Sequence, residues 1–125
     1  MTVSRGFLVV GSIYLIIGVL LGMHMGASGD HSMAPAHAHI NLVGFTLMIL
    51  FGLAYDRFAE AGASRLARGH FWLHQAGAIV LSVMLVLLFS GRITEESMFP
   101  LAPLAEVALL VGVLCFAVNM WRHAR

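Results

Sequence analysis

The sequence predicts an all-α integral membrane four-helix bundle, and three observations carry that expectation. Of its 125 residues, 60% are hydrophobic and only 10% charged, a composition far from that of globular domains. The apolar residues gather into four runs of about 20, the length a helix rising about 1.5 Å per residue needs to cross about 30 Å of hydrocarbon. The connections between the runs are short and polar, which leaves no room for a second domain.

The first helix is expected over residues 6–25. Arg5 before an apolar run could be taken for a signal peptide. The run is too long for that, has no ionisable side chain other than Tyr14 and meets no clear small-residue cleavage site, so a retained helix is expected. Gly11, Gly18, Gly22 and Gly26 lie four or seven residues apart and form a stripe where another backbone can approach closely. The second helix is expected over 35–55, with Pro35 in the first turn, where its missing N–H leaves no bond unmade. The third and fourth are expected over 69–90 and 100–121.

Arginine placement sets the direction, since cytoplasmic ends collect positive charge. Arg5, Arg57, Arg65, Arg68, Arg122 and Arg125 fall on one side of the four-helix scheme and only Arg92 on the other. Both termini are therefore expected in the cytoplasm, in a multi-pass protein of a bacterial-type inner membrane. The net charge of +1, with no lysine, excludes a nucleic-acid partner. The single cysteine, Cys115, excludes an intrachain disulfide and a multi-cysteine metal site, and reads as a small buried residue.

Seven histidines in so apolar a chain are the anomaly, because ionisable residues at membrane depth usually line a cavity, bind something or relay protons. His24, His31, His37 and His39 are expected near the outer face, and His70 and His74 near the cytoplasmic one. The richest segment is MAPAHAHINLVGF, from Met33 to Phe45. Residues two apart on a helix point about 200° from each other, so His37 and His39 cannot easily share one ion. They are better placed for two sites on opposite faces, or for one site and a supporting partner. Asn41 follows His37 by one turn and can orient its ring.

His37-Ala38-His39 followed by Gly44 resembles the histidine pair on the haem-holding helix of haem–copper oxidases. His39-Ile40-Asn41-Leu42, continuing to Phe51, Gly52 and Tyr55, is similar to the low-spin haem helix of the related nitric oxide reductases. The resemblance covers about 20 residues and implies a haem, b-type, held by His39, with His37 as the second histidine of the pair. It implies electron transfer, binding of a small gas, or an oxidoreductase reaction on oxygen or nitric oxide, fed by an electron donor. The chain departs from that family in having one four-helix unit in place of three, and no adjacent histidine pair like the one that helps bind the family's copper.

Other residues carry alternatives. Met23-His24-Met25 and His31-Ser32-Met33 combine thioether and imidazole groups that suit Cu(I). Copper binding or transfer without haem is thus the main competing function, and a cofactor-free accessory subunit a third. His24 could serve either metal, and the methionines read more simply as the end of a helix. His70 and His74, one turn apart, could chelate a metal, but Trp72 and Gln75 beside them favour an interfacial belt about 20 Å below His39. Glu106 is placed for proton delivery, for pairing with a histidine or for a hydrogen bond across helices, and Tyr55 is a second candidate for a proton or supporting role. A thin bundle with histidines on opposite faces is expected to self-associate. A homotrimer would match the three four-helix arcs of the resembling family, with a dimer as the competitor.

Overall fold

A computed structural model describes residues 1–124, and Arg125, one of the six arginines assigned to the cytoplasmic side, lies outside the described residues. Among the described residues all regular structure is helical: α1 (Val3–Ser28), α2 (Ala34–Arg57), a short α3 (Ala59–Ala63), α4 (Arg65–Phe89), one 3-10 turn (Glu96–Met98) and α5 (Leu101–His123). α1, α2, α4 and α5 are long and apolar enough to span a membrane. α1 and α2 run one to three residues beyond the expected bounds at each end, α4 starts four residues earlier and ends one earlier, and α5 starts one residue later and ends two later.

The ends follow from local chemistry. Thr2 caps α1 by accepting the Arg5 N–H at 3.2 Å, and Gly29 closes it at φ +70°, donating its N–H to Met25 O, a left-handed conformation that glycine adopts without steric cost. α2 starts at Ala34 with Pro35 in its first turn. Phe58, at φ −111° and ψ 77°, breaks the chain between α2 and α3, and Ser64 restarts it by capping α4 through the Ala67 N–H at 3.0 Å.

Inside α2, residues Ile40–Thr46 form a π-helical segment between the α-helical turns Ala34–His39 and Leu47–Arg57. Such segments widen the helix by about one residue per turn and concentrate at functional sites. The last wide bond joins Leu47 N–H to Leu42 O. The carbonyl that comes next, Val43 O, receives His74 Nε2–H from α4 at 2.9 Å.

α1 packs on α2, and α4 on α5, with glycine at the points of closest approach. A Cβ on Gly11 would meet Met48 and Ile49, one on Gly18 Asn41, and one on Gly22 His37, whereas Gly26 faces open space. Gly11, Gly18 and Gly22 are thus occupied within the chain, and of the stripe Gly26 alone is left open. Gly77 plays the same part in α4, against Leu109 and the Ala105 carbonyl of α5.

The two hairpins meet over an aromatic core of Phe7, Phe51, Tyr55 and Phe116 around His70 and His74. Polar cross-links run through it: Tyr55 to His70, His74 to Val43, and Asn119 Nδ2–H to Ala61 O at 3.0 Å. Hydrogen bonds between membrane helices contribute about 0.6 kcal/mol each on average, while truncating a buried phenylalanine costs about 3–5 kcal/mol. Packing therefore holds the hairpins together, and the hydrogen bonds fix their register.

Here the structure corrects the interfacial belt expected at His70 and His74. Their side chains are 0% and 1% exposed. α4 begins at Arg65 instead of about residue 69, so the two histidines lie in its second and third turns and not at its start. Val43, which His74 reaches, stands only about 6 Å of helix rise beyond His39, not the 20 Å expected.

Candidate functional site

His37 and His39 sit in the first turns of α2 and face different surroundings. His37 is half-buried against α1, its Cε1 3.1 Å from where a Cβ on Gly22 would stand. The Asn41 amide lies 3.3 Å from His37 Nδ1 and 3.2 Å from Nε2, so its N–H group addresses the ring between the two nitrogens. Gly18 leaves room for that amide. The stripe on α1 thus makes space for this pair.

His39 is exposed on the outer surface of the bundle. Its Nδ1 lies 2.8 Å from Pro35 O. A carbonyl only accepts, so the ring proton is on Nδ1 and the outward Nε2 bears a lone pair. A histidine whose second nitrogen is anchored on a backbone carbonyl has the tautomer and orientation typical of a metal-ligating imidazole.

His24 and His31 are both exposed at the same end of the molecule. His31 Nδ1–H donates to Gly29 O at 3.1 Å. Asp30 between them accepts Ser32 N–H at 2.9 Å. The Ser32 backbone and side chain hold the Asp30 carboxyl below its ordinary pKa, with His24 and His31 adding to the effect. Met23 is 65% exposed and Met25 only 6%, so the two thioethers diverge and do not flank one ion. Among the described residues, no three histidine, cysteine, aspartate or glutamate side chains gather closely enough to hold a metal together.

Glu106 lies on the exposed face of α5. The histidine side-chain hydrogen bonds run to backbone carbonyls, Asn41 and Tyr55, and none reaches Glu106, so the pairing expected there is not formed. Tyr55 lies in the core instead, 2% exposed, with its hydroxyl 2.9 Å from His70 Nδ1.

The buried pair has one nitrogen of each ring engaged, while His70 Nε2 and His74 Nδ1 are buried without a partner. Phe51 sits edge-on to both rings, at centroid distances of 4.4 Å and 5.3 Å, and Phe7 lies 4.9 Å and 5.8 Å from them. Sequence reasoning missed this aromatic enclosure. The one available signal was the four-residue spacing of His70 and His74, which predicts a shared helix face but not its burial. No protein-family model, curated protein or solved structure matches the chain.

Proposed function

We propose that the chain is a haem-binding protein of the inner membrane in which His39 supplies an axial imidazole, serving electron transfer or the binding or reduction of oxygen or nitric oxide. The observation that supports this most is the His39 ring, with Nδ1–H anchored on Pro35 O at 2.8 Å and a lone pair presented outward on Nε2. Neutral imidazole is a good axial donor to haem iron. A bound haem would supply one-electron chemistry, or an open coordination position for a small gas. The chain's own part is to hold His39 in one tautomer and to keep His37 and Asn41 on the opposite face.

Because His39 faces outward from a bundle with arginine-rich termini toward the cytoplasm, the second axial ligand or the far wall of the pocket comes from another subunit. A homotrimer is the assembly we favour, since three copies close a ring of cyclic symmetry with the helix count of the resembling oxidase subunit. Copper transfer at the loop end is the weaker reading, because Met23 and Met25 diverge.

The test is the visible spectrum of protein purified in mild detergent, together with native mass spectrometry. We expect an intense haem band that shifts on reduction, three chains per particle, and loss of the band or conversion from low to high spin in His39→Ala. A wild-type spectrum in His39→Ala would overturn the ligand assignment. A haem-loaded monomer would overturn the intersubunit site, and a dimer the threefold arrangement.

A further inference from the structure

A haem held at His39 would leave His70 and His74 unused, although buried polar atoms without partners are rare and call for an occupant. The protonation of the His74 ring follows from its fixed neighbour. His74 Nε2 lies 2.9 Å from Val43 O and must carry the proton, which leaves a lone pair on Nδ1. Asn119 donates Nδ2–H to Ala61 O, and its Oδ1 is buried without a partner as well. The Tyr55 hydroxyl lies 2.9 Å from His70 Nδ1, and in the tautomer in which Nδ1–H donates to the phenolic oxygen His70 Nε2 also bears a lone pair.

Two neutral imidazoles one helical turn apart, each with its other N–H on an oxygen, make the arrangement that ligating histidines adopt. The ring centroids are 5.8 Å apart, a separation comparable with two metal–nitrogen bonds of about 2 Å each plus the ring radii. Among the described residues no third histidine, cysteine or carboxylate joins them. Zinc takes four ligands and calcium or magnesium takes oxygens, whereas the monovalent ions Cu(I) and Ag(I) accept two donors in line. The Phe7, Phe51 and Phe116 rings pack around the pair and leave it in apolar surroundings.

We propose that His70 and His74 form a two-coordinate site for a monovalent coinage-metal ion, Cu(I) in the cell, enclosed in the middle of the bundle. The way in is a cavity of about 390 Å³ at the arginine-rich end, lined by Thr2, Tyr55, Asp56 and Arg68, so that Tyr55 stands between the opening and His70. The site shares no residue with His39 and does not depend on haem.

The test uses the full chain in detergent, Ag(I) as a redox-inert probe, and NMR of protein labelled with nitrogen-15 at histidine. We expect one silver ion per chain, with the resonances of His70 Nε2 and His74 Nδ1 moving together. His74→Gln, whose amide can still donate to Val43 O, should abolish uptake at this site, and Tyr55→Phe should weaken it by about 10–100-fold by releasing the His70 ring. The joint silver shifts of His70 Nε2 and His74 Nδ1 should persist in protein that has lost the haem band, which separates this site from the haem assignment. Unchanged uptake in His74→Gln, shifts confined to His24 and His31, or two nitrogens that hold a bridging water and ignore silver would each overturn the proposal.

Discussion

One alanine separates His37 from His39, and that spacing decides what each ring can do. His37 is committed to Asn41 and the Gly22 surface, while His39 holds a backbone carbonyl and presents its free nitrogen outward. The divergence was legible in the sequence because the turn per residue is fixed. Which ring would be enclosed was not, since that depends on where the glycines of α1 fall against α2. Gly44 shows how strict these contacts are: a Cβ there would run into the Tyr14 ring, whereas one on Gly69 would meet nothing within 4 Å. Gly44→Ala should therefore destabilise the fold by about 1–3 kcal/mol through overpacking. Gly69→Ala should be neutral or stabilising by about 0.5–1 kcal/mol, as expected for an exposed helical position. Thermal unfolding of the two variants in the same detergent checks both signs.

At the scale of elements, the four spans were readable to within a few residues, because length and apolarity alone determine whether a helix can cross hydrocarbon. The π-helical segment of α2 was not, since no residue type in Ile40–Thr46 compels it. The inward placement of α4 was also hidden. Arg65 and Arg68 mark the end of a span, but charge cannot say how many turns lie between the membrane surface and the first buried side chain. The π-helical segment sets the angular relation between the two halves of α2. A deletion within regular α-helix would turn the two sides by about 100°, but the widened turn already holds about one residue in excess. Deleting Leu42, which is 56% exposed, should therefore restore regular α-helix while residues 34–41 nearly keep their facing. His37, Asn41 and His39 would then stay on their present faces, and the Val43 carbonyl would be drawn into the helix's own hydrogen bonds and away from His74. We expect wild-type helicity by circular dichroism with the haem band kept. A deletion variant that lost the band would show that the widened turn has a part in the site.

As a whole the molecule is two helical hairpins that face each other across a single aromatic layer. α1 and α2 are joined by a short loop and packed through glycines, as are α4 and α5. Between the hairpins, Phe7, Phe51 and Tyr55 of the first enclose His70 of the second. Tyr55, Val43 and Ala61 on one side then meet His70, His74 and Asn119 on the other in fixed register. Each hairpin consists of two helices long and apolar enough to span a membrane, and the aromatic layer is the surface the two hairpins share. Covalent continuity between Ala63 and Ser64 is then a convenience of synthesis. Residues 1–63 and 64–125, co-expressed as separate polypeptides, should find each other in the bilayer and copurify. Replacing Asn119 and His74 together should abolish that complementation while leaving each half inserted.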